Sequence, residues 1–168
     1  MGLLEERTGE GYGPNGVAIL VETMTDNRNR TVADVRHAFS KFGGNMGTDG
    51  SVAYLFNKLG VVHVDLSHNE DQIMEIALDA GADDFTVTED YFEIVSTPAN
   101  LPVVIEAFNK NNIETLLAEN TMRADTLVNL DHEASEKVLK IMTFMDDLDD
   151  VQEVHTNAEF PEDFTEEE

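Results

Sequence analysis

The segment from Asp26 to Phe56 constrains the fold most, because it places an apolar helical stripe directly before a run of glycines. Apolar side chains recur in it at intervals of three and four residues, a pattern typical of one buried face of an α-helix. Thr31, with Asp34 three residues later, is predicted to cap the start of this helix. Gly43 and Gly44 are predicted to end it, because helices often close on a left-handed residue. The stripe consists of Val32, Val35, Ala38, Phe39 and Phe42.

A glycine-rich loop from Asn45 to Gly50 and a strand from Ser51 to Phe56 are predicted to follow the helix. Backbone N–H groups of such a loop can hold an anion. A P-loop, however, follows a strand, precedes a helix and ends in Gly-Lys-Ser/Thr, whereas here the order is reversed and no lysine lies in the loop. Nucleotide hydrolysis is therefore not expected.

Positive charge is concentrated in the same segment of an otherwise acidic chain. The 168 residues include 10 Lys and Arg against 35 Asp and Glu, which gives a formal charge of −25. Four of the ten cations lie in the segment, and Lys58 follows directly after it. One interpretation is an ordinary helix with a solvated charged face. The other is a functional surface, since a local positive patch opposes the negative electrostatic field of the whole chain.

Two long runs resemble the YebC family, whose bacterial members have long been labelled probable transcriptional regulators. They are GYGPNGVAILVETMTDNRNRTVADVRHAFSKFGGNMGTDGSVAYLF, residues 11–56, and MDDLDDVQEVHTN, residues 145–157. A mitochondrial relative in this family is a translational activator of cytochrome c oxidase. In the family, a basic helical N-terminal domain precedes the first run, and this chain has no such domain before residue 11. The resemblance implies a non-enzymatic regulator of gene expression that binds promoter DNA, or the ribosome and its RNA.

The nucleic-acid-binding surface is expected on the outer face of the helix and on the loop. Arginine guanidinium groups suit bidentate phosphate contacts, lysine adds a point charge, and asparagine amides can meet polar edges. An acidic protein repels a polyanion, so the residues favour RNA in a protein-bound setting such as the ribosome. The predicted binding residues are Asn27, Arg28, Asn29, Arg30, Arg36, His37, Lys41, Gly47 and Ser51.

The order of the remaining elements predicts an α+β fold of two small ferredoxin-like α/β sandwich domains, one inserted in the other. Residues 11–66 and 130–157 are predicted to form a discontinuous βαββαβ domain, with residues 67–129 inserted as a second α+β domain. Residues 1–10 are expected to be a loose arm and residues 158–168 an acidic disordered tail. The family resemblance implies the same nested arrangement. The further helices are predicted at Asn69–Ala80, Pro98–Asn111 and Asp131–Leu148.

Several kinds of chemistry are not expected. The chain has no cysteine, which excludes disulfides and thiol catalysis and fits a cytoplasmic protein. No apolar run approaches the roughly 20 residues of a membrane span, so no membrane partner is predicted. The five histidines lack the spacing of a helical zinc motif, and no cofactor or metal is expected. The acidic group of Asp146, Asp147, Asp149 and Asp150 is interpreted as solvated charge.

A different class of function remains open: a small-molecule-sensing or protein-interaction module that binds no nucleic acid. Its sequence feature is the acidic inserted domain, in which Lys110 and Arg123 are the only cations between Lys58 and Lys137. A sensor predicts a ligand-dependent rise in melting temperature. A nucleic-acid-binding factor predicts salt-sensitive binding instead.

Overall fold

The computed structural model describes residues 3–164, which form four α-helices and ten strands. In chain order the elements are β1 (Glu5–Tyr12), β2 (Ala18–Thr25), α1 (Arg28–Lys41), β3 (Asn45–Met46), β4 (Phe56–Asp65), α2 (Glu70–Asp79), β5 (Asp84–Val87), β6 (Tyr91–Ser96), α3 (Leu101–Lys110), β7 (Thr115–Ala124), β8 (Val128–Asn129), α4 (His132–Asp146), β9 (Val151–Thr156) and β10 (Ala158–Glu159). The α+β class predicted from the sequence is confirmed.

Two compact units divide the chain. The first combines the residues up to Asn57 with those from Arg123 onward, and the second comprises Lys58–Met122. The boundaries predicted after residues 66 and 129 lie instead after Asn57 and Met122. The first boundary comes earlier than predicted because β4 belongs to the sheet of the second unit. In that sheet the strand order is β5-β6-β4-β7.

The first sheet has the strand order β3-β1-β2-β9. Strand β1 pairs antiparallel with β2 along its whole length, from Glu5 opposite Thr25 to Tyr12 opposite Ala18. The prediction that residues 1–10 form a loose arm is therefore wrong for residues 5–10. Strand β1, which the sequence did not predict, lies between β3 and β2 in this sheet.

The core of the first unit lies between this sheet and the helices α1 and α4. Phe39 is fully buried there, and a Cβ added to Gly11 would come within 2.6 Å of its ring. Successive β-strand residues face opposite sides of a sheet, so Ile19 and Val21 enter this core while Leu20 and Glu22 face away from the helices. The buried members are Val17, Ile19, Val21, Val35, Ala38, Phe39, Leu130, Ala134, Val138, Ile141 and Met145.

A second apolar core fills the second unit, where α2 and α3 cover their sheet. Helix α2 begins after Asn69, whose side chain accepts a hydrogen bond from the Gln72 backbone N–H at 3.0 Å. This matches the start predicted from the sequence. The buried members are Val62, Val64, Ile73, Ala77, Phe92, Ile94, Leu101, Val104, Phe108 and Ile113.

Two further predictions are corrected by the structure. Residues 51–55 form no strand, since Ala53–Leu55 is a single 3₁₀ turn, and Phe56 already begins β4, which runs without interruption to Asp65. The end of the chain is ordered as far as it is described: β10 pairs with β8, and the Phe160 and Phe164 rings stack 5.5 Å apart. The rest of the predicted disordered tail, residues 165–168, lies outside the described residues.

No helix within residues 3–164 is both long enough and apolar enough to cross a membrane.

Candidate nucleic-acid interface

Helix α1 carries most of the predicted binding residues, and it begins one turn earlier than the sequence predicts. Asn27 is the N-cap, and its side-chain oxygen accepts a hydrogen bond from the Arg30 backbone N–H at 3.1 Å. Arg28, Asn29 and Arg30 therefore lie in the first helical turn. Thr31, predicted as the cap, is instead buried inside the helix.

Arg30 is held by acidic side chains. Its Nη2 lies 2.9 Å from Asp150 Oδ2 and 3.3 Å from Asp26 Oδ1. The hydroxyls of Thr31 and Thr25 donate to the same Asp150 oxygen, at 2.6 Å and 3.1 Å. The Thr31 hydroxyl and the Arg30 guanidinium together hold the pKa of Asp150 below its ordinary value. The interpretation of Asp150 as solvated charge is therefore wrong: this carboxylate ties the start of α1 to the segment before β9.

His37 and Lys41 lie on the same flank of α1, beside α4. The His37 ring meets the Phe144 ring edge-on at 5.8 Å. Lys41 Nζ lies 4.9 Å from the centre of the Phe144 ring and 5.6 Å from that of Phe42. An ammonium within about 6 Å of a ring centre is attracted by the ring quadrupole. Both side chains remain exposed, but their positions are set by a neighbouring aromatic ring.

Arg28 and Arg36 occupy the other side of the exposed face. Both side chains are exposed, and neither forms an ion pair with any residue between 3 and 164. Eight residues at 100° each place them about 80° apart around the helix. Asn29 is also exposed, about 20° around the helix from the direction of Arg36. This side of α1 therefore offers two guanidinium groups that no acidic side chain of the described structure neutralises.

A small cavity of about 210 Å³ adjoins Arg28, at the start of α1. Arg7 on β1 also lines it, so two arginines from different elements face one space, together with the Asp49 carboxylate. Arg7 itself pairs with Glu5, at 3.2 Å between Nε and Oε2. Arg7 could not be predicted as part of this surface, because residues 1–10 carry no apolar alternation that would mark a strand.

The glycine loop binds an anion, and that anion is the carboxylate of Glu10 in the same chain. Glu10 on β1 is 4% exposed, and its carboxylate accepts backbone hydrogen bonds from Gly50 at 2.6 Å, Val52 at 2.9 Å and Ala53 at 2.6 Å. Burial acts to raise the pKa of Glu10, yet these three N–H donors outweigh it and bring the pKa below its ordinary value. These amides are consequently not available to a phosphate.

Gly47 and Ser51 are integrated into the same loop. The Gly47 N–H donates to the Glu10 carbonyl oxygen at 2.7 Å, and the Ser51 carbonyl accepts from the Tyr12 hydroxyl at 3.2 Å. The Ser51 hydroxyl is buried without a hydrogen-bond partner within the described residues. The structure thus places the two loop residues against β1 through these hydrogen bonds.

The fold and this surface define a class: an α+β protein of two units with a partly neutralised cationic helix on its first unit. Residues 4–158 match the family model described as the TACO1/YebC second and third domain, so the chain belongs to the YebC/TACO1 family.

Curated relatives agree with this assignment. The chain is 52% identical over 157 residues to a probable transcriptional regulatory protein of Idiomarina loihiensis, covering 93% of this chain and 63% of the relative. It is 53% identical over 160 residues to one of Methylococcus capsulatus, covering 95% and 64%. The corresponding Legionella pneumophila protein is 50% identical over 153 residues, covering 91% and 62%. The chain therefore spans somewhat less than two thirds of the length of these relatives.

A solved structure shares the fold. The crystal structure of a conserved hypothetical protein from Aquifex aeolicus superposes with a TM-score of 0.86 at 38% identity, covering 99% of this chain and 70% of the other.

Proposed function

We propose that this chain is a non-enzymatic regulator of gene expression that binds nucleic acid through the Arg28 and Arg36 side of α1. The observation that carries the proposal is that both guanidinium groups are exposed and without an acidic partner among residues 3–164. The names of the curated relatives, probable transcriptional regulatory proteins, support the same kind of function.

The charges on α1 divide into two roles under this proposal. Arg28 and Arg36 contact phosphates directly, because a planar guanidinium group without a partner can form bidentate bonds to phosphate oxygens. Asn29 lies next to Arg28 in the first turn and offers its amide to a polar edge. Arg30 is a structural residue, since its guanidinium group already holds Asp150 and Asp26. Lys41 and His37 form the margin of the surface next to Phe144.

The target that best fits this charge distribution is RNA within the ribosome. A formal charge of −25 opposes a bare polyanion, and screening limits any local attraction to about 8–10 Å at ordinary salt. Two arginines then supply too little electrostatic free energy to hold duplex DNA by themselves. A ribosomal site can add protein–protein contacts that do not depend on the net charge.

Co-sedimentation with ribosomes across a salt series tests this target. The chain is expected to sediment with ribosomes at low salt and to be released as the salt concentration rises. Fluorescence anisotropy with a labelled DNA duplex of mixed sequence serves as the parallel measurement. Stronger binding to the duplex than to ribosomes at equal salt would assign the function to DNA.

A ligand- or protein-binding module is the second candidate, and one feature of the second unit favours it. Helices α2 and α3 border an open cleft of about 590 Å³, and Val103 at this cleft is 50% exposed. Three acidic side chains line the cleft beside Lys110, so that three carboxylates accompany one ammonium group. They are Glu75, Asp79 and Glu106. A small cationic or peptide ligand that raises the melting temperature, with no binding to ribosomes or DNA, would favour this candidate.

A further inference from the structure

Three metal-binding side chains converge on the face of the first sheet that points away from α1 and α4. His155 and Glu153 lie two residues apart on β9, and Glu22 lies on the neighbouring strand β2. His155 Nε2 is 2.9 Å from Glu22 Oε2 and 3.4 Å from Glu153 Oε2. One ligand atom from each residue lies within 4.8 Å of the other two.

The backbone brings the two carboxylates together although they repel each other. Glu22 and Glu153 are directly opposite in the antiparallel pairing of β2 and β9, and like charges in that position destabilise a sheet. The pairing register shifts immediately after this pair: Thr23 is opposite Val151, and Gln152 has no residue opposite it on β2. Such bulges re-aim side chains and are over-represented next to functional sites.

We propose that Glu22, Glu153 and His155 bind a divalent transition-metal ion, with Zn²⁺ and Mn²⁺ as representative ions. Ligand atoms about 2.0–2.2 Å from a metal ion lie roughly 2.9–3.5 Å from one another in tetrahedral or octahedral geometry. The two distances from His155 Nε2 fall within this range. The metal ion therefore needs only small side-chain rotations to replace the present hydrogen bonds.

The donor set also indicates the class of ion. One imidazole nitrogen with two carboxylate oxygens suits zinc, manganese or iron(II), whereas calcium and magnesium prefer oxygen ligands alone. Two negative charges offset the charge of a divalent ion. The imidazole is 9% exposed, so it is already oriented by its surroundings, and the Phe56 ring lies 6.5 Å from it.

A bound ion would connect β2 with β9, which are distant in sequence but adjacent in the first sheet. It would also remove the repulsion between Glu22 and Glu153. Since an ion that binds only the folded state stabilises that state by mass action, the expected consequence is a higher melting temperature. This inference is independent of the nucleic-acid surface, because its residues lie on the opposite side of the sheet from α1.

A second histidine–glutamate pair in the same chain provides a matched control. His63 Nε2 lies 2.9 Å from Glu93 Oε2, the same distance as in the proposed site. The His63 ring is stacked on Tyr91 at 3.8 Å, and the metal-type cluster found within residues 3–164 does not include it. His63→Gln should therefore leave metal binding unchanged.

Isothermal titration of metal-stripped protein with ZnCl₂ is the direct test, with the melting temperature measured on the same samples. The wild type is expected to bind one equivalent and to melt at a higher temperature. Glu22→Gln and His155→Gln should each weaken the binding more than tenfold, while His63→Gln binds as the wild type does. Circular dichroism of each metal-free variant confirms folding, and Glu153→Gln, at a partly exposed position, replaces His155→Gln if the latter does not fold.

Titration with MnCl₂ locates the ion by paramagnetic broadening of amide resonances. Broadening that begins at residues 20–23 and 153–156 supports the proposal. The proposal is overturned if the wild type shows no saturable binding up to about 1 mM Zn²⁺, or if Glu22→Gln and His155→Gln bind as tightly as the wild type. Broadening that begins at Asp146–Asp150 instead would assign the binding to ordinary acidic surface and also overturn it.

Discussion

Arg30 and Asp150 lie 120 positions apart in sequence, and their side chains meet with 2.9 Å between Nη2 and Oδ2. This contact joins the first turn of α1 to the segment that leads into β9. It uses one of the arginines that the sequence assigns to nucleic-acid binding. The cationic helix is therefore partly a structural element and partly an open surface.

Asp150→Asn is expected to lower the free energy of unfolding at pH 7 by about 1.5–3 kcal/mol, because hydrogen bonds to a charged group are lost. Thr31, Thr25 and Arg30 all direct donors at this carboxylate. Urea denaturation measures the effect. Asp149→Asn is the matched control, since its exposed neighbouring side chain has no hydrogen bond or ion pair within the described residues.

The difference in unfolding free energy between the wild type and Asp150→Asn is also expected to depend on pH. Since the folded state lowers the pKa of Asp150, its contribution is present above the ordinary aspartate pKa of about 3.9 and is lost as the pH falls through the lower folded value. The wild type and Asp150→Asn should differ by a constant amount from pH 7 to about pH 5 and should converge at more acidic pH. A difference that grows toward acidic pH would contradict this account.

Glu10→Ala is expected to lower the free energy of unfolding by about 2–4 kcal/mol, since it leaves the amides of Gly50, Val52 and Ala53 without their acceptor. Amide hydrogen exchange should accelerate at these three positions more than elsewhere in the first unit. Glu6→Ala changes an exposed glutamate on the same strand and should have little effect. Equal exchange rates in the Glu10→Ala and wild-type proteins would show that the carboxylate does not hold the loop.

Phe39→Ala is expected to lower the free energy of unfolding by about 3–5 kcal/mol, as for other buried aromatic residues. The ring is fully buried against Gly11 and Gly44 in the core of the first unit. Tyr54→Ala removes an aromatic ring that is 77% exposed, so it should cost little. Similar denaturation midpoints for the two variants would mean that Phe39 is not a core residue.

The local features of the fold could be predicted from the sequence. The apolar stripe of α1 was recognised, and Val35, Ala38 and Phe39 are buried as expected. The starts of α2 and α4 were also predicted to within one residue: the helices were expected from Asn69 and Asp131, and these residues are the N-caps, each accepting a hydrogen bond from a backbone N–H within one turn. These features depend on interactions between residues close together in sequence.

The features that were missed depend on distant partners. Strand β1 has no apolar alternation, and its conformation is set by pairing with β2. The sequence around Thr31 is typical of a helix cap, but in the folded protein the Thr31 hydroxyl donates a hydrogen bond to Asp150. Likewise, nothing near Glu10 in sequence indicates that its carboxylate receives the amides of a loop 40 residues later.

The same limit applies to the candidate site. The segment rich in arginine and lysine was recognised as unusual for an acidic chain. The division between Arg30, which is bound to acidic side chains, and Arg28 and Arg36, which are not, could not be predicted. It requires knowledge of where Asp150 lies relative to the start of α1.

The central claim is that the Arg28 and Arg36 side of α1 is the nucleic-acid interface, and ribosome co-sedimentation of the Arg28→Ala/Arg36→Ala double variant tests it most directly. Arg30→Ala is the matched control, because it removes the same type of charge from the same helix. The double variant should lose most of its binding at low salt, and the slope of log binding constant against log salt should fall by about 1.5. Arg30→Ala should mainly reduce stability and retain binding once its folding is verified. Equal binding of the double variant and the wild type across the salt series would contradict the claim that this side of α1 is the nucleic-acid interface.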